Sequence, residues 1–198
     1  MSSKPLGGNS GTGDEHGKSY GMNYGPDNVP EYGRWIETLL RAMVSRYGHG
    51  RASDFWFRVG TEPNTRPGHW ADTNAKYVSE YIAVAGAVEK VLPRAKVGLA
   101  NMGADGGNWD EVVMPMARAI ATSGVRVDFI AMSCYGRGTH GRYDIGTAEL
   151  CGMRLNSLRR LGGKRWATLP AQSMEYGLQD NALSVVDSDP GVFGASLC

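Results

Sequence analysis

The stretch "FWFRVGTEPNT", Phe55 to Thr65, decides how the chain is read. Phe55 to Gly60 is a short apolar run rich in aromatic side chains, which reads as a buried strand rather than a helix. It runs directly into Thr61, Glu62, Pro63 and Asn64. Pro63 has no N–H to give to a ladder and biases the preceding residue toward extended backbone. The stretch therefore predicts a strand that stops at a carboxylate held on its rim. Strand alternation assigns Arg58, Gly60 and Glu62 to one face and Phe57, Val59 and Thr61 to the other.

Working outward, Pro30 suits the first turn of a helix, and Trp35, Ile36, Leu39, Leu40, Met43, Val44 and Tyr47 recur at three- and four-residue steps before Gly48. A second helix is predicted through Tyr77, Val78, Tyr81, Ile82, Ala85, Val88 and Leu92, ended by Pro93. The pattern then repeats: a strand over Ala95 to Ala100, a helix over Trp109 to Ala121, a strand over Val127 to Ser133, a helix over Thr147 to Leu161, and a last strand over Arg165 to Gly177. Residues 1 to 29 are glycine-rich without helical or strand period and read as loop. Strands alternating with helices are the signature of βαβ units and a parallel sheet. Either an open doubly wound sheet or part of a (β/α)8 barrel satisfies the pattern, and in both the chemistry belongs at the C-terminal strand ends.

Those ends carry the informative residues. The second strand runs into Asn101-Met102-Gly103, the third into Ser133-Cys134-Tyr135-Gly136 and the fourth into Ser173-Met174-Glu175-Tyr176-Gly177. By alternation Ser173 and Glu175 share a face. If Glu62 and Glu175 face one mouth, the pair is the equipment of glycoside hydrolysis: one carboxyl donates a proton to the leaving oxygen while the other, ionised, attacks the anomeric carbon or activates water. Taken singly, each is also compatible with a solvated glutamate at a loop.

"FWFRVGTEPN", preceded by "SRYG" and followed by "KYVSEYIAVAGAVEKVLPRAKVG", resembles the clan of retaining (β/α)8 glycoside hydrolases whose fourth strand ends in Asn-Glu-Pro, and within it the β-xylosidase and iduronidase branch. The resemblance covers residues 30 to 177 and implies that Glu62 is the acid/base and Glu175, in "MEYG", the nucleophile. It implies a carbohydrate substrate and no cofactor, with Tyr135 holding Glu175 in register. The clan's asparagine before the acid/base is replaced by Thr61, which has one donor. "RVGTEPNT" is closer to enzymes cutting agar- and porphyran-type galactans, so such a substrate is expected, with a β-xylosidase-like exo-glycosidase as the alternative. On the same reading the chain holds about strands four to seven of the barrel, residues 1–29 being a loop region and 30–198 a partial catalytic domain. The clan's location implies secretion or a periplasmic site for the full-length protein.

Sugars present apolar C–H faces, so Trp70 and Trp109, in loops after strand ends, are candidate platforms. Asn64, His69, Asn101, Arg137, His140 and Arg142 are candidate polar contacts, with Thr61 beside the acid/base. Each tryptophan could equally cap a helix, and the loop arginines could be solvated. Arg58, one layer below Glu62, is either a charge partner for Glu175 or a structural ion-pair partner.

Composition narrows the partners. Lysine plus arginine, 21, nearly cancels aspartate plus glutamate, 20, so no overall field points to nucleic acid or an acidic membrane. No apolar run approaches the roughly 20 residues of a membrane span, and "MSSKPLGGNSGTGDEHG" lacks the apolar core of a signal peptide. The three cysteines, Cys134, Cys151 and Cys198, are odd in number and widely spaced, so free thiols are expected. The four histidines lack metal-ligand spacing. "GRGTHG", Gly136 to Gly141, matches G-x-G-x-x-G, but no helix opens at it and no acid follows at the required distance. Cys134 with His140 lacks a third orienting group for nucleophilic catalysis. A carbohydrate-binding protein without catalysis and an inactive fragment are the competing classes.

Overall fold

The structure, a computed structural model, describes residues 24–104, 108–139, 142–143 and 146–180. Its first helix, α1 (Val29–Tyr47), is capped by the Asn28 side chain accepting from the Glu31 N–H, with Pro30 in its first turn. The single turn α2 (His49–Ala52) leads into β1 (Trp56–Arg58). Helix α3 (Asn74–Val91), capped by Thr73, then precedes β2 (Lys96–Gly98) and β3 (Met102–Gly103). A π-helical turn (Trp109–Val113) opens α4 (Met114–Ser123), which Gly124 ends in a left-handed conformation. β4 (Ile130–Thr139), β5 (Arg142–Tyr143), α5 (Gly146–Leu161) and β6 (Ala171–Asp180) complete the order.

The strand order decides between the two closures left open by sequence. β1 pairs in parallel with β2, Gly98 bridges in parallel to Phe129, β3 pairs in parallel with β4, and β4 pairs in parallel with β6. Successive strands are therefore spatial neighbours with no reversal of direction, which is the winding of a barrel wall and not of a doubly wound sheet. The short β5 adds antiparallel pairing at the tip of β4. Helices follow the same succession, α1 packing on α3, α3 on α4 and α4 on α5. The result is an α/β arc of parallel strands backed by helices, part of a (β/α)8 barrel.

The core lies between the two layers. α1 contributes Tyr32, Ile36 and Leu40, α3 contributes Tyr77, Tyr81 and Val88, and Val59, Val97 and Leu99 meet them from the strands. Tyr77 ties the layers together, its hydroxyl donating to Val59 O at 3.0 Å and accepting from the Ala100 N–H at 2.9 Å. On the opposite face of the sheet Trp56 packs on Phe129, ring centroids 5.1 Å apart. Gly98 is required there, since an added Cβ would lie 2.5 Å from the Phe129 ring. Trp56 is half exposed, and among the described residues β1 pairs only with β2.

Several expectations are corrected. The last strand begins at Ala171, because Gly163–Arg165 form a 3-10 turn that seats the buried Trp166. β1 ends at Arg58 because Gly60, at φ 82, leaves extended backbone. Cys134 and Cys151 are not free thiols: they form a disulfide joining β4 to α5, with Cα atoms 6.1 Å apart. Spacing alone did not reveal it because a strand and the helix that follows it bring distant positions together. Among the described residues no helix is long and apolar enough to cross a membrane, and no group of histidine, cysteine and carboxylate side chains could hold a metal ion. Most of the predicted loop at residues 1–29 lies outside the described residues.

Candidate active site

The rim of β1 departs from simple alternation. After Gly60 the chain makes a parallel bridge between Thr61 and Asn101, and the Glu62 N–H donates to Asn101 O at 2.9 Å. Glu62 has φ 40, not the extended backbone that Pro63 predicts. The reason is a turn in which the Glu62 carbonyl accepts from the Thr65 N–H at 2.8 Å while its own N–H is held by Asn101. Such a positive φ at a non-glycine residue costs on the order of 1–3 kcal/mol and persists only where neighbours over-determine it. The Glu62 side chain is nearly buried. Its Oε2 accepts from Thr65 Oγ1 at 3.1 Å and lies 3.5 Å from His69 Nδ1.

Glu175 is delivered by β6. The register against β4 shifts between Met132 and Ser133: Met132 faces Ser173, whereas Ser133 faces Glu175, so Met174 is the extra residue of a bulge. Bulges re-aim side chains beside functional sites. Here Glu175 Oε1 accepts from Asn101 Nδ2 at 2.7 Å and from Thr61 Oγ1 at 3.2 Å, while Oε2 accepts from Tyr135 Oη at 2.8 Å. Donors from three neighbouring segments converge on one carboxylate and fix its orientation. Thr61, placed with Phe57 and Val59 by alternation, instead reaches Glu175 because the turn at Gly60 redirects it.

The other predicted residues divide. Asn64 is buried and makes a reciprocal pair with the Gly103 main chain, donating at 2.9 Å and accepting at 3.0 Å; it braces the loop that follows Glu62. Trp70 is 4% exposed, with its ring edge on Tyr77 and its N–H on Thr73 O. Trp109 is 1% exposed, and the Arg154 guanidinium sits 4.9 Å over its ring. Asn101 is fully buried, its amide bonded to Glu175 and to Ser133 Oγ at 2.6 Å. Arg58 is exposed at the wall of a cavity of about 260 Å³ that also includes Thr61, His69, Trp70 and Glu80. Arg137 stands opposite Gln179 in the β4–β6 register, and Arg142 opposite Thr139 in β5. His140 lies outside the described residues.

Sequence reasoning missed Ser133, Thr65 and Glu80. Ser133 and Thr65 lay in the quoted rim motifs, but nothing in their spacing marked them as partners of Asn101 and Glu62. Glu80 follows Tyr77 on the buried face of α3 and meets Tyr32 Oη at 3.3 Å. Burial pushes its carboxyl up to about 7, the Tyr32 hydrogen bond acting in the opposite direction. The signal available was a lone glutamate at a helical position otherwise occupied by apolar residues.

Comparison with known proteins supplies the family. The model of glycosyl hydrolases family 39 matches residues 11–160, a stretch that contains Glu62 and stops before Glu175. A beta-xylosidase of Caldicellulosiruptor saccharolyticus is 33% identical over 111 residues, 56% of this chain and 22% of that protein. An alpha-1,4-L-rhamnosidase of Formosa agariphila is 27% identical over 118 residues, 59% of this chain and 23% of that protein. Among solved structures, a monomeric beta-xylosidase from Caulobacter crescentus aligns with TM-score 0.59 at 21% identity, covering 76% of this chain and 31% of that one. A bacterial orthologue of human α-L-iduronidase aligns with TM-score 0.64 at 16% identity, covering 79% and 27%. The chain thus spans about a quarter of the length of the curated relatives it matches. The agar and porphyran expectation finds no support in these relatives. By its sequence over most of its length, the chain belongs to glycosyl hydrolases family 39.

Proposed function

We propose that this chain carries the two catalytic carboxylates of a retaining glycosidase acting on a small β-xyloside-like glycoside. The observation that carries the reading is the contrast between the two glutamates. Glu175 receives three side-chain donors on its two oxygens, which suits a carboxylate that must be ionised to attack. Glu62 receives one hydroxyl, with an imidazole beside it, which suits a group that gives and takes a proton.

In this mechanism Glu175 attacks the anomeric carbon as the C–O bond to the leaving group breaks, and Glu62 protonates the departing oxygen. A glycosyl ester on Glu175 results. Water then enters, Glu62 removes its proton, and the ester is displaced with overall retention. The β-xylosidase reading follows the relatives named above; the galactan reading rested on the wording of the "RVGTEPNT" motif alone.

The experiment is turnover of p-nitrophenyl β-D-xylopyranoside by the wild-type chain, Glu62→Gln and Glu175→Gln. Both variants are expected to lose at least about 1,000-fold in kcat while still binding xylose oligomers. Equal sugar binding with no wild-type turnover would instead favour a carbohydrate-binding module.

A further inference from the structure

We propose that Asn101 is the positioning residue that fixes Glu175 relative to Glu62, so that one side chain and its own main chain set the spacing of the two carboxylates. The inference rests on the catalytic reading above. Asn101 O accepts from the Glu62 N–H at 2.9 Å, while Asn101 Nδ2 donates to Glu175 Oε1 at 2.7 Å. The same residue thus touches the backbone of one glutamate and the carboxylate of the other.

Its place in the sheet makes it rigid. Asn101 lies between β2, which pairs with β1, and β3, which pairs with β4. Its main chain runs between the two ladders, and its parallel bridge to Thr61 ties it to the rim of β1. The side chain is equally fixed. Both protons of Nδ2 are used, one on Glu175 and one on Ser133 Oγ at 2.6 Å. Turning the amide over would set Oδ1 against a carboxylate oxygen, two acceptors facing each other, so the bonds dictate its orientation. Fully buried and with both donors spent, Asn101 has no N–H left to give to a sugar. It acts through Glu175.

Two variants test this. Asn101→Ala removes the donor, and kcat is expected to fall roughly 10- to 100-fold with KM within about threefold of wild type. Asn101→Asp keeps the shape but replaces the donor with an acceptor beside Glu175, so its kcat is expected to fall below that of Asn101→Ala. A role in packing alone would order the two the other way. Asn101→Asp also carries the test should the alanine variant fail to fold.

A readout independent of turnover separates this inference from the glycosidase reading. Glu175 is labelled with a water-soluble carbodiimide and glycine ethyl ester and quantified by peptide mass spectrometry against the exposed Glu89. Labelling at Glu175 is expected to rise severalfold over Glu89 in either variant. A rise with no wild-type glycoside turnover would support the positioning role while sinking the glycosidase reading. Unchanged Glu175 labelling, or kcat unchanged in both variants of an active wild type, overturns the role assigned to Asn101.

Discussion

Tyr135 donates its hydroxyl to Oε2 of Glu175 at 2.8 Å from the strand beside it. The bond is charge-assisted, the kind worth about 1.5–3 kcal/mol. Tyr135→Phe is expected to lower kcat roughly 10- to 100-fold on an aryl xyloside with little change in KM. An unchanged kcat would mean that Tyr135 only packs the mouth of the site.

Stability should fall as pH rises through neutrality because of Glu80. Its folded-state value, about 7, lies above the ordinary 4.5, so the native state holds a proton that the unfolded chain releases first. The contribution is complete below about pH 4.5 and is lost as pH rises through about 7, roughly 3 kcal/mol in all. Urea midpoints measured between about pH 5 and 8 are expected to decline, and Glu80→Gln to flatten the decline. An identical slope in the variant would refute this account of the Tyr32–Glu80 pair.

The disulfide closes a 17-residue separation between β4 and α5. For a loop of that size the cross-link is worth about 3 kcal/mol. Reduction is expected to lower the urea midpoint and to make the native chain report one accessible thiol pair more. A midpoint insensitive to reductant would show that the bridge contributes nothing to stability.

Gly98→Ala tests the packing on the inner face of the sheet. Its Cβ would lie 2.5 Å from the buried Phe129 ring, which is itself packed on Trp56. Overpacking of this kind costs about 1–3 kcal/mol, so the melting temperature is expected to fall by several degrees. A variant that melts with the wild type would mean that the ring has room to move.

Much of this arrangement was legible in the chain itself. Phe55 to Gly60, the helical recurrence from Trp35 to Tyr47 and the carboxylates at Glu62 and Glu175 follow from period and from residue type, which report local geometry. What was not legible depends on breaks in that period. Gly60 and Glu62 at positive φ turn Thr61 toward Glu175, and the bulge at Met174 sets Glu175 opposite Ser133. Alternation presumes a regular pleat, and the site is built where the pleat is interrupted. Trp70 and Trp109 show the same limit from another side: their loop positions left both a sugar platform and a helix cap open, and contacts with Tyr77 and Arg154 bury them.

The most direct test of the central claim is covalent capture of the nucleophile. The chain is incubated with 2,4-dinitrophenyl 2-deoxy-2-fluoro-β-D-xylopyranoside, whose fluorine slows breakdown of a glycosyl ester, and is then digested and sequenced by mass spectrometry. The account predicts one sugar per chain, attached to Glu175, with no labelling in Glu175→Gln. A label on any other carboxylate, Glu62 included, or release of dinitrophenol without a covalent adduct, would contradict it.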